Sequence, residues 1–104
     1  MKTLNQINEL GERDGYWEVY YSNGNISSKG NYLNDKRDGY WESYYSKGEI
    51  EYKGNHINGK KHGYWEVYYP NGTLLAKGNY INGKLDGYWV HNYDNGPYSL
   101  YLNI

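Results

Sequence analysis

Residues 14–24 read DGYWEVYYSNG, and the chain returns to that phrase three times: DGYWESYYSKG at 38–48, HGYWEVYYPNG at 62–72 and DGYWVHNYDNG at 86–96. Gly15, Gly39, Gly63 and Gly87 set a period of 24 residues. A fixed period of this size marks a repeat architecture in which each unit is one supersecondary element. Each phrase is followed by I/L-x-x-K-G-N and then a second turn. Units 15–38, 39–62 and 63–86 are complete, whereas 87–104 departs in its second half. Residues 1–14 read as the degenerate tail of a preceding unit, because GERDGYW parallels DKRDGYW.

Runs rich in Tyr, Trp and Val between Asn-Gly pairs predict strands and hairpins. Asn23-Gly24, Asn71-Gly72 and Asn95-Gly96 predict type I′ turns, with Lys47-Gly48 a weaker form at the same place. Asn58-Gly59 and Asn82-Gly83 mark a second turn in each unit, and Asn34-Asp35 is its weaker version. Two-residue turns fix the register. With Asn23-Gly24 at the tip, Ser22 faces Asn25, Tyr21 faces Ile26, Glu18 faces Lys29 and Trp17 faces Gly30. The same rule sets Glu42 against Lys53, Trp41 against Gly54, Glu66 against Lys77 and Trp65 against Gly78. A large ring over an opposed glycine compensates for its missing side chain. Each charge pair contributes about 0.2–1 kcal/mol. Around Asn34-Asp35, Ser28 faces Trp41. One sheet face then carries Trp17, Val19, Tyr21, Ile26, Gly30 and Tyr32 with their equivalents, and is the expected core. The other carries Tyr16, Glu18, Tyr20, Lys29, Asn31 and Leu33.

In the last unit Val90 replaces the glutamate, Tyr101 the lysine, and Leu102 faces Trp89. Terminal repeats lack a neighbour and are often atypical, so PYSLYLNI reads as a C-terminal capping hairpin with Pro97 at an edge. The expected fold is all-β: a single-layer, twisted antiparallel meander of repeated β-hairpins, one domain over 1–104. It has about nine strands and a length of roughly 40 Å at ~4.8 Å per strand. A helix is conceivable only in the first ten residues, where TLNQINEL is too short to be secure.

Composition agrees with burial by aromatic rings. Among 104 residues there are 16 Tyr, 14 Gly and 4 Trp, with no Phe and no Cys. Tyr and Trp bring large apolar area with a polar handle. A formal net charge of −1 with scattered Lys and Arg leaves no electrostatic footprint for nucleic acid. Nor is there a polybasic cluster for anionic lipid. Lack of Cys removes disulfides and thiolate chemistry. MKTLNQINELGERD has no apolar run of the signal-peptide kind, and no segment approaches the ~20 apolar residues of a membrane helix. The expectation is a cytoplasmic protein.

The stretches GYWEVYYSNGNISSKGNY, GYWESYYSKGEIEYKGNH and GYWEVYYPNGTLLAKGNY resemble the MORN repeat family. They are most similar to the variant repeat of bacterial proteins of the YwqK type, described as antitoxin components. The resemblance runs from about Gly11 to Gly96 and implies a hairpin per repeat in an extended sheet. It implies membrane or protein interaction only loosely, and a fold does not fix a function. Choline-binding repeats are also rich in Gly, Trp and Tyr, and bind quaternary ammonium in aromatic cages. Their period is nearer 20 residues and they belong to secreted proteins, so that reading ranks lower.

No residue set suggests catalysis, a metal or a cofactor. His56 takes the slot of Tyr32 and Tyr80, His62 the turn slot of Asp38 and Asp86, and His91 lies in the atypical unit. The three share no phase, so each reads as an ordinary surface or stacking position. Glu18, Glu42 and Glu66 recur, as acid–base carboxylates would, but each has a lysine opposite. The serines lack a nucleophile-elbow context, and GKKHG and GNYING are turns, not phosphate loops. Tyrosines are the candidate binding residues. Tyr16, Tyr40, Tyr64 and Tyr88 share one phase and Tyr20, Tyr44 and Tyr68 another, all on the outer face. They either pack on one another across strands or form an aromatic stripe for a partner. Trp17, Trp41, Trp65, Trp89, Gly30, Gly54 and Gly78 read as structural. The expected function is a non-catalytic scaffold that binds a protein, a second copy of the chain included. The alternatives are an antitoxin that binds a toxin, and a module for a lipid headgroup or a carbohydrate.

Overall fold

The computed structural model describes residues 4–93 and the backbone of 99–103. It contains eight strands: β1 (Gly15–Tyr20), β2 (Ile26–Leu33), β3 (Lys36–Tyr44), β4 (Ile50–Ile57), β5 (Lys60–Tyr68), β6 (Leu74–Ile81), β7 (Lys84–Asn92) and β8 (Ser99–Asn103). They form one antiparallel sheet in chain order, with no crossover. Among the described residues there is no helix. The molecule measures 49 × 33 × 20 Å. In place of a ninth strand, the N-terminal segment makes a single bridge between Ile7 and Arg13. The Asn5 side chain then acts as a strand neighbour for β1. Its amide donates to Glu18 O at 3.0 Å and accepts from Glu18 N at 2.8 Å, which blunts an exposed edge.

Within each hairpin the predicted register holds, by a different route. Trp17 stands opposite Gly30 and Glu18 opposite Lys29, as Trp41 does with Gly54, Glu42 with Lys53, Trp65 with Gly78 and Glu66 with Lys77. The turn, however, is not type I′. Of Asn23 and Gly24 only Gly24 has a positive φ, at 91°. Gly24 N donates to Tyr21 O at 3.0 Å and Tyr21 N to Asn25 O at 2.8 Å. That is a three-residue loop ending in a glycine bulge. It pairs Tyr20, not Tyr21, with Ile26. Tyr21 meets Asn25, so Ser22 lies in the loop. A second bulge between Val19 and Tyr20 cancels the offset before Glu18 is reached. Gly48 and Gly72 repeat the arrangement. The Asn95-Gly96 turn and Pro97 lie outside the described residues.

The second turns fall where expected and are the ones with type I′ geometry, with φ of 50° and 69° at Asn34 and Asp35, 53° and 79° at Asn58 and Gly59, and 51° and 82° at Asn82 and Gly83. Past them the register differs from the expectation. Asn31 still opposes Asp38, but Gly30 opposes Trp41, so Gly39 and Tyr40 are extra relative to β2. Ser28 therefore faces Ser43, not Trp41. Gly39, at φ 81°, makes the bulge, and Gly54/Asn55 against Gly63 and Tyr64 repeats it. Asp38, His62 and Asp86 thus sit in strand pairs with Asn31, Asn55 and Asn79 rather than in turns.

This slip produces two ladders across the sheet. Trp17, Gly30, Trp41, Gly54, Trp65 and Gly78 stand opposite one another in turn. The ring over each glycine comes from the following unit, correcting the expected cover within a hairpin. Trp41 lies on Gly30, Trp65 on Gly54 and Trp89 on Gly78. Each indole N–H finds an acceptor where the strand ladder slips: Trp41 on Asn31 O at 2.8 Å, Trp65 on Asn55 O and Trp89 on Asn79 O at 3.0 Å. Trp17 uses Gln6 O at 2.9 Å. Trp41 and Trp65 are fully buried. Edge-on Tyr32, His56 and Tyr80 fill the spaces between indoles, with centroids 4.9–6.0 Å apart, a favoured aromatic geometry. Arg37 lies 4.2 Å over the Trp41 ring and Lys61 5.0 Å over Trp65. Val19, expected in the core, is exposed. β7 and β8 pair Trp89 with Leu102 and Val90 with Tyr101, as expected.

His56 is buried on this face and its Nδ1 has no hydrogen-bond partner among the described residues. Burial, aided by the charges of Arg37 and Lys61, lowers its pKa from 6.5 to about 4. The folded state therefore favours neutral imidazole, while the unfolded chain binds a proton below 6.5. Stability from this residue is complete above pH 6.5 and is lost as pH falls toward 4, by about 3 kcal/mol at most. His56→Tyr, which installs the residue of the equivalent slots, should flatten that part of the pH profile. Urea midpoints for both proteins at pH 7 and pH 4.5 check this; equal losses in the two would refute it.

Candidate functional site: the tyrosine face

The face opposite the indoles is built from strand alternation. Tyr, Glu and Tyr at i, i+2 and i+4 of β1, β3 and β5 point to one side. In each strand both tyrosines donate to the glutamate between them. Tyr40 and Tyr44 reach the two oxygens of Glu42 at 2.9 and 2.6 Å. Tyr64 and Tyr68 reach Glu66 at 2.9 and 2.7 Å, and Tyr16 and Tyr20 reach Glu18 at 3.0 and 2.6 Å. The tyrosines thus clamp a carboxylate rather than stacking on one another.

Lysines of the intervening strands complete a second ladder. Glu18, Lys29, Glu42, Lys53, Glu66 and Lys77 oppose one another in alternating sign, ending at Val90. The close ion pairs run between units, Lys29 to Glu42 at 3.4 Å and Lys53 to Glu66 at 3.3 Å. Burial tends to raise the Glu42 pKa, but the Tyr44 and Tyr40 hydroxyls and Lys29 outweigh it and hold it below the usual carboxylate value. For Glu66 the Tyr68 hydroxyl is the largest influence in the same direction. Burial and the carboxylate together push Tyr16, Tyr40 and Tyr68 up to about 12, and Tyr44 further. Around neutral pH the face carries fixed, mutually compensating charges and protonated phenols. Glu42 and Glu66 are thereby held as acceptors and the Tyr16, Tyr40, Tyr44 and Tyr68 hydroxyls as donors.

All seven predicted tyrosines lie on this face. Tyr20, Tyr40, Tyr64 and Tyr88 are about half exposed or more, and Tyr16, Tyr44 and Tyr68 are half-buried. The structural Trp and Gly set lies on the other face. Two equivalent hollows open between successive tyrosine rings. One is lined by Tyr16, Lys29, Gly30, Asn31, Tyr40 and Glu42. The next, one unit on, is lined by Tyr40, Lys53, Gly54, Asn55, Tyr64 and Glu66. The sequence reading does not single out Asn31 and Asn55 for the site; the signal available was the K-G-N that recurs opposite each Tyr. Among the described residues no cluster of His, Asp and Glu is placed to hold a metal ion.

Fold and face together define a repeat protein of hairpin units with a recurrent aromatic surface. Residues 13–34, 37–58 and 61–82 each match the model described as the MORN repeat variant. These matches cover more than half of the chain, which therefore belongs to the MORN repeat variant family. No curated protein matches it. Repeats of this family form a non-catalytic module generally associated with protein or membrane-lipid interaction.

Proposed function

We propose that the chain is a non-catalytic interaction module that binds a protein through the tyrosine face. The reading rests on one observation. The tyrosines recur at two phases on a single exposed face, with rings presented and hydroxyls held by glutamates. Such preset aromatic surface suits a protein hot spot, because little side-chain freedom remains to be lost on binding. A second copy of the chain is one natural partner, and a toxin enzyme is another, supported by the resemblance to YwqK-type repeats. Replacing Tyr20, Tyr44 and Tyr68 together by Ser tests the proposal. Self-association in light scattering, or capture of a partner on immobilised protein, should be lost while the β spectrum is retained. Retention of both interactions in a folded triple variant would refute it.

A second reading has its own support along the rim of the second turns. Leu33, Ile57 and Ile81 are each about half exposed and stand opposite Lys36, Lys60 and Lys84. A row of aliphatic side chains beside lysines suits an anionic lipid surface. Co-sedimentation with phosphatidylserine vesicles, lost when the three lysines become Glu, would support it.

A further inference from the structure

The two hollows of the tyrosine face form a series. They share Tyr40 as a common wall, have the same set of lining residues (two Tyr with one Lys, Gly, Asn and Glu), and lie two strands apart. Two strand spacings are about 9.4–9.8 Å. Each floor is a glycine, Gly30 or Gly54, whose other side is covered by an indole, so nothing rises from the bottom of the hollow. Each contains one lysine and one glutamate of opposite charge, which selects against a strongly charged occupant. Glu42 and Glu66 already accept two phenol protons and face a lysine. They have little capacity left to bind sugar hydroxyls. What remains is aromatic wall plus the amides of exposed Asn31 and Asn55, which can donate to carbonyl oxygens.

Resting on the reading of this face as a protein interface, we propose that its occupant is a proline-rich segment of the partner in polyproline II conformation, running across the strands from one hollow to the next. That helix turns once every three residues with a rise of about 3.1 Å each, a repeat of about 9.3 Å. It therefore places a ring at every third residue in step with successive hollows. Its carbonyls have no internal hydrogen bonds and are free for the asparagine amides. Tyrosine-lined grooves suit such segments, which have little conformational entropy to lose.

The test uses the full chain and a blocked dodecapeptide with proline at every third position. The control has the same composition with its prolines clustered at one end. Titrations followed by amide and aromatic chemical shifts should give saturable binding of the periodic peptide, with shifts at Tyr16, Tyr40 and Tyr64, and at least tenfold weaker binding of the control. Tyr40→Ala, which opens both hollows, should weaken binding at least tenfold, while Tyr40→Phe keeps most of it. Equal binding of the two peptides, or an unaffected Tyr40→Ala, overturns the proposal. So does binding of a β-linked hexasaccharide in place of the peptide. If the periodic peptide fails while capture of a folded protein partner still depends on Tyr20, Tyr44 and Tyr68, only the proline-rich ligand is refuted. If that capture fails too, the interface reading falls with it.

Discussion

Trp65→Ala is expected to lower the unfolding free energy by about 4 kcal/mol, and the melting temperature by roughly 20 °C. Trp65 is 1% exposed, meets His56, Tyr52 and Tyr80 in ring contacts, and covers Gly54. Truncation leaves a large void and strips the indole N–H from Asn55 O. A domain of this size has a total stability of about 5–15 kcal/mol, so one substitution removes a large part of it. Each unit touches only its neighbours, so the loss also divides the array at its centre. Urea unfolding followed by tyrosine fluorescence and by far-UV circular dichroism measures both effects. A drop below about 1 kcal/mol would mean that the indole ladder is not the core.

Gly54→Ala is expected to destabilise by about 3 kcal/mol, the upper part of the range for overpacking. Ordinary strand preference points the other way, because alanine is less costly than glycine in a strand. The sign of the effect is therefore diagnostic. A methyl group on Gly54 would sit inside the ring of Trp65, at Cδ2, Cε2 and Cγ. That ring is rigid and fully buried, so it has nowhere to retreat. Combining Gly54→Ala with Trp65→Ala should cost clearly less than the sum of the two, since the void receives the methyl group. Contacting residues in such cycles couple by about 0.5–3 kcal/mol. Additivity would disprove the stacking of ring on glycine.

Much of this was legible in the sequence, and the misses have a common physical origin. Period, strand content, the Glu–Lys and Trp–Gly oppositions, the two faces and the phase of the tyrosines follow from alternation and turn position. The hairpin register came out right because two deviations cancel, the glycine loop at Ser22–Gly24 and the bulge beside Tyr20. Bulges do not cancel at Gly39, Gly63 and Gly87, and there the two-residue rule fails. A glycine inside a strand pattern is itself a bulge signal, so the opening D-G-Y-W could have been read as a bulge rather than as the end of a turn. The hydroxyl clamps on Glu42 and Glu66 were also readable, from Tyr-x-Glu-x-Tyr on one strand face. Which ring lies over which glycine was not, because that depends on the bulged register and on side-chain rotamers.

The ring-on-glycine and lysine–glutamate contacts between units give the sheet a polarity that its antiparallel strands conceal. Units 15–38 and 39–62 each offer a bare glycine and a lysine to their successor and receive an indole and a carboxylate from it, while unit 63–86 receives the Trp89 indole and sets Lys77 against Val90. Tyr21 and Tyr45 likewise donate forward to carbonyls of Tyr44 and Tyr68. Cohesion therefore resides at the joints between units, and the two joints between complete units are nearly the same. A 24-residue block can be spliced in or cut out at a joint with its mating surfaces preserved. Each such change alters the reach of the tyrosine row by about 10 Å. Length becomes a quantity that can be tuned in whole steps, as links are added to a chain, while the joints themselves stay as they are.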